Sequence, residues 1–192
     1  MRNIQLAIFI LSIIFIITNV FTEWKNRKNL PWQTNPLSSY LAGVSYAWVQ
    51  DIGYFGMAVA LLLFAWIAGF PWGLSFLAAA LALPVVVITK YMIDSPNVIS
   101  VKAKQYQKWH DYSAGIAFLG MTVGMLRISY LIGMNSVAFV ASLAAPAIAL
   151  LFMRFWPKQT TYEEKAYTAL LMVADLSWCS VVLGFAQLYF KK

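Results

Sequence analysis

Six apolar runs, each about long enough to cross a membrane, limit what this chain can fold into. They cover residues 4–21, 49–70, 74–92, 110–133, 136–155 and 166–190. Each is close to the roughly 20 residues that an α-helix needs to cross about 30 Å of hydrocarbon. Lipid cannot hydrogen-bond a backbone, so such runs must satisfy their own N–H and C=O groups as helices. The composition agrees: 61% of the 192 residues are apolar and 11% are charged. A soluble domain carries about 45–50% and about 25%. The expected fold is therefore all-α, a single polytopic bundle of six transmembrane helices spanning residues 1–192. The first run has only Arg2 as a basic start and no small-x-small cleavage pattern before Glu23, so it reads as a retained anchor helix.

The connections alternate. Gly69-Phe70-Pro71-Trp72-Gly73 and Gly133-Met134-Asn135 are short and read as hairpin turns. The other three are longer and polar, and all fall on one membrane face. That face carries Lys25, Arg27, Lys28, Lys90, Lys102, Lys104, Lys108, Arg154, Lys158 and Lys165, ten of the 14 basic residues. Arg2, Lys191 and Lys192 lie on the other face, and Arg127 lies inside a run. The positive-inside rule then places the long loops in the cytoplasm and both termini outside, in an inner (plasma) membrane. The net charge of +7 is spread over these loops, where it meets anionic lipid head groups rather than nucleic acid. Membrane lipids are the expected partners. Lys102, Lys104 and Lys108 lie on a segment suited to continue the fourth span outward as an amphipathic interfacial helix.

One cysteine, Cys179, excludes an internal disulfide, and one histidine, His110, excludes a zinc site built from several histidines or a bis-histidine haem. No metal or cofactor is expected. Six spans with no lysine inside the last one argue against retinal. Asp51 and Asp111 open spans 2 and 4, and Pro84 and Pro146 lie midway in spans 3 and 5, at almost the same interval. Two tandem helical hairpins would produce this echo, and so would chance.

Two passages carry a family resemblance. Asn35-Pro36-Leu37-Ser38-Ser39-Tyr40-Leu41-Ala42-Gly43 leads into Trp48-Val49-Gln50-Asp51-Ile52-Gly53-Tyr54-Phe55, and Trp109-His110-Asp111-Tyr112-Ser113-Ala114-Gly115-Ile116-Ala117-Phe118 comes later. Together they resemble the bacterial and archaeal membrane family catalogued as domain of unknown function 998. In that family a "PLS" loop precedes a span that begins with a tryptophan and a polar residue, and an "H-D-x-x-A" start opens a later span. The resemblance implies a six-helix bundle in a prokaryotic membrane and no particular reaction.

By loop counting, Ser38, Ser39, Asp51, His110 and Asp111 belong to one membrane face. A serine, a histidine and a carboxylate are the ingredients of nucleophilic catalysis, with His110 as base and Asp51 or Asp111 orienting it. No Gly-x-Ser-x-Gly elbow accompanies them. The plain alternative is that the serines cap a loop and that His110 and Asp111 cap span 4. In that span His110, Ser113, Ala117, Gly120, Gly124 and Arg127 recur every 3 or 4 residues and form one stripe. Gly120-x-x-x-Gly124 suits close packing against another helix, either within the chain or in a second copy, and the same stripe would also suit a groove for an acyl chain. Arg127 has two outlets. It can snorkel to the far surface or pair with Asp175, which lies near the middle of span 6, one turn from Trp178. Three functional expectations follow. The first is a polar intramembrane pocket for a lipid-like or amphipathic small molecule, involving Ser38, Ser39, Ser113, Arg127, Asp175 and Trp178. The second is a lipid-modifying hydrolase or transferase built on His110. The third is a transporter that uses Asp175 and Arg127, or an assembly subunit.

Overall fold

The computed structural model describes residues 2–26, 28, 43–93 and 100–132. They form four helices: α1 (Arg2–Asn26), α2 (Ala47–Ala68), α3 (Gly73–Ile93) and α4 (Ser100–Ile132). No strand occurs among the described residues. The first four apolar runs are thus helical, and the expected spans 136–155 and 166–190 lie outside the described residues. Three of the helices, α1, α2 and α3, are long and apolar enough to cross a membrane.

Helix ends follow local chemistry more than hydropathy. The helix α1 runs beyond the expected end at residue 21 because Thr22 and Asn26 turn their side chains onto carbonyls of the preceding turn instead of breaking the helix. At the start of α2, Tyr46 adopts a left-handed conformation (φ 65°). That conformation costs a non-glycine residue about 1–2 kcal/mol. Packing offsets it, since the Tyr46 ring meets Phe21 edge-on at 5.5 Å. The same helix ends at Gly69, whose φ of 66° suits a residue without a Cβ and whose N–H donates to the Ala65 carbonyl. The expected hairpin between the second and third runs is therefore present. The helix α4 begins ten residues earlier than the apolar run it contains, so the lysine-bearing segment is helical and continuous with it.

Neighbours in sequence are neighbours in space: α1 packs on α2, α2 on α3 and α3 on α4. The core between them holds Met57, Leu61 and Phe64 of α2 with Phe76, Ala79, Leu83 and Val86 of α3. Phe64 and Phe76 stack at 5.0 Å near the hairpin, and Phe15 meets Tyr54 edge-on at 5.4 Å. Outward faces are apolar as well: Ile10, Ile17, Phe55, Leu62, Leu81, Ile88 and Leu119 are exposed, while Ser12, Asn19, Thr22, Gln50, Thr89 and His110 are buried. A water-soluble protein reverses that distribution. In hydrocarbon it is the stable one, because polar side chains gain nothing by facing lipid.

The stripe on α4 is its packed face. His110, Ser113, Ala117, Gly120 and Gly124 are all buried. A Cβ at Gly120 would strike the Ser75 carbonyl of α3, and one at Gly124 would strike the Phe76 ring. The face expected to meet either a second copy or an acyl chain is therefore filled at these two glycines by α3 of the same chain. Replacing Gly124 with isoleucine should destabilise the fold by about 1–3 kcal/mol, the usual cost of overpacking. It should lower the thermal midpoint in detergent, whereas Gly115→Ile, where a Cβ meets nothing within 4 Å, should not.

Candidate functional site

Each pair of packed helices is joined by a side chain–side chain hydrogen bond, and all three bonds lie at the end opposite the Gly69–Trp72 turn. Between α1 and α2, Gln50 Nε2 donates to Asn19 Oδ1 at 2.6 Å. Between α2 and α3, the Tyr91 hydroxyl donates to Asp51 Oδ2 at 2.6 Å. Between α3 and α4, His110 Nδ1 lies 3.2 Å from Thr89 Oγ1. Helix rise gives the common level. At about 1.5 Å per residue, Asp51 and Tyr91 each stand roughly 27 Å along their helices from the turn, and His110 stands roughly 26 Å from Arg127, which lies beside that turn.

The His110 ring is fixed by acceptors. Its Nδ1 is 3.1 Å from the Val86 carbonyl, which can only accept, so Nδ1 carries a proton. Thr89 gives its single hydroxyl proton to the Val85 carbonyl at 2.6 Å, so its oxygen also accepts from the ring. In a neutral ring the basic lone pair is then at Nε2. The Asp51 carboxylate is half-buried; its Oδ1 is shielded from solvent and has no hydrogen-bond partner among the described residues. Asp111 is exposed and accepts from Gln107 Nε2 at 2.7 Å, one turn back on its own helix. Thus His110, Asp51 and Asp111 share an end of the bundle, as loop counting indicated, but each has its own partner. The histidine is oriented by a backbone carbonyl and a threonine, and neither acid takes that role among the contacts described.

Ser113 is buried on the α4 face, one turn inward from His110. Arg127 is at the far end, its guanidinium 5.5 Å from the Trp72 ring and 5.6 Å from Tyr130. Facing the rings of the turn side is the direction snorkelling takes, and cation–π contact of this kind is worth about 0.5–2 kcal/mol. Its Nε is shielded and has no hydrogen-bond partner among the described residues. Ser38, Ser39, Asp175 and Trp178 lie outside the described residues, as does any Arg127–Asp175 pairing. Among the described residues no group of three or more metal-ligating side chains occurs.

Reading by hydropathy misses the partners that complete these links: Asn19, Gln50, Thr89 and Tyr91. Ser12, Asn19, Thr22 and Asn26 are spaced to share one face of an otherwise apolar helix, and that spacing is the signal. Asn26 Nδ2 also donates to the Ser45 carbonyl at 2.9 Å, clamping the end of α1 to the entry of α2. Comparison with protein-family models, curated proteins and solved structures finds no match.

Hydrogen bonds between membrane helices contribute on average about 0.6 kcal/mol and at most about 1.7 by double-mutant cycle. A cycle on Asn19→Leu and Gln50→Leu should return a coupling in that range, and so should one on Thr89→Val and His110→Phe. A coupling indistinguishable from zero in both, measured by reversible unfolding in micelles, would contradict the links.

Proposed function

We propose that the chain is a six-helix integral protein of a prokaryotic inner membrane, of the kind its short motifs resemble. In this reading its polar end binds the head of a lipid-like or amphipathic small molecule. The observation that carries the reading is the Asp51–Tyr91 pair. One carboxylate oxygen is held by the phenol, and the other is shielded from solvent with no partner among the described residues. A carboxylate at that depth needs a donor or a cation, because an unmet buried acceptor costs about 1–3 kcal/mol. The level of the pair, roughly 27 Å from the opposite turn, is close to one boundary of a hydrocarbon layer about 30 Å thick. That boundary is where an amphipathic molecule keeps its polar group. In the same proposal the long basic loops face the cytoplasm and the termini face outward.

Fixing of the His110 ring through Nδ1 favours one second reading, a lipid-modifying enzyme in which Nε2 is the base. The Val86 carbonyl, rather than Asp51 or Asp111, would then be the group that sets the tautomer.

Native mass spectrometry of the protein extracted in mild detergent tests the binding reading. The wild type is expected to carry an amphipathic molecule that denaturation releases. Asp51→Asn should reduce its occupancy about tenfold, since a lost charge-assisted hydrogen bond is worth about 1.5–3 kcal/mol. A wild type carrying nothing, or an Asp51→Asn protein carrying as much as the wild type, would overturn it. Turnover of extracted lipid that His110→Ala abolishes and Asp51→Asn spares would favour the enzyme.

A further inference from the structure

We infer that residues 100–109 of α4 form a collar that selects anionic phospholipid around the bundle. The argument begins with length. The helix α4 has 33 residues, so it is roughly 50 Å long at about 1.5 Å per residue. The hydrocarbon core takes about 30 Å, and the whole bilayer with head groups about 40–45 Å. One end of α4 is fixed by Arg127 and Tyr130 beside the turn. The surplus must therefore emerge at the other end, beyond His110.

Aromatic side chains mark the two boundaries independently. At the turn end Trp66 is 81% exposed and Phe70 is 85% exposed. At the polar end Trp24, Trp48 and Trp109 are exposed. Trp48 and Trp66 are on one helix, roughly 27 Å apart by its rise. Belts at this spacing are what tryptophans adopt at the two edges of a bilayer. The segment 100–109 thus begins where hydrocarbon ends. Along the axis Lys108 stands roughly 3 Å, Lys104 roughly 9 Å and Lys102 roughly 12 Å outside the His110 level. That interval is the phosphate layer and its outer edge.

All three lysines are exposed, and the segment Ser-Val-Lys-Ala-Lys-Gln-Tyr-Gln-Lys-Trp contains no acid. Lys104 and Lys108 share a side of the helix, and Lys102 is well round from both, since successive residues turn by about 100°. A folded protein partner would read one face. Charges distributed around the axis at phosphate depth suit a surrounding layer of lipid, in which each lysine near an anionic surface contributes about 1 kcal/mol.

The test uses the full chain in vesicles of phosphatidylcholine with a minor share of phosphatidylglycerol, and spin-labelled versions of each lipid report association with the protein. The wild type at low salt should hold phosphatidylglycerol several-fold over phosphatidylcholine, and high salt should abolish the preference through screening. The joint variant Lys102→Gln, Lys104→Gln, Lys108→Gln should lose the preference, and the matching Lys→Arg variant should keep it. Because the salt series needs no variant, it remains decisive if the glutamine protein fails to fold. Asp51→Asn should leave the preference intact, which separates this inference from the binding reading above. An unchanged preference in a folded glutamine variant, or none in the wild type, would overturn it. So would binding of polyglutamate to the wild type in neutral vesicles that the glutamine variant loses, with no lipid preference, since that outcome assigns the collar to an acidic protein.

Discussion

In hydrocarbon a polar side chain has no water to bond, and the rest of this structure depends on where such side chains find partners. Apolar packing alone does not draw helices together in lipid, because the lipid tails are as apolar as leucine. What distinguishes one arrangement from another is close backbone approach and polar contact. Both are present here. Gly120 and Gly124 bring α4 onto α3, and the Asn19–Gln50, Asp51–Tyr91 and Thr89–His110 links join three successive helix pairs at one level. The core of Phe64, Phe76, Met57 and Leu61 fills the space so defined.

This arrangement also separates the ionisable groups by task. Arg127 and the aromatic turn occupy one end, and the histidine and the half-buried carboxylate occupy the other. His110 and Asp111, adjacent in sequence, diverge because neighbouring helical residues point about 100° apart. One is buried against α3; the other faces outward beside Gln107. Sequence adjacency on a helix therefore argues against a working pair.

Hydropathy made the first four helices and the hairpin turn legible, because lipid imposes a length that composition reveals directly. The α4 stripe was legible for a similar reason, since small residues at helical spacing have one physical use. The links were not. Gln50 and Tyr91 are ordinary residues at span ends, and only tertiary placement shows that Gln50 meets Asn19, on α1. The end of α1 was missed because Thr22 and Asn26 lower the hydropathy while their side chains serve the helix. The start of α2 depended on a left-handed tyrosine that no propensity favours.

The polar face of α1 has a bearing on how the protein is made. Ser12 bonds the Ile8 carbonyl, Thr18 and Asn19 that of Phe15, Thr22 that of Thr18 and Asn26 that of Thr22. Every one of these donors is satisfied within α1 itself. During synthesis α1 emerges before α2 exists, and an unmet polar group in lipid would cost several kcal/mol. Self-contained bonding removes most of that burden, so α1 can cross the bilayer alone. The acceptor oxygen of Asn19, once there, receives the amide of Gln50 when the second helix arrives. The same five side chains thus serve first as a passport into lipid and later as the seam of the folded protein.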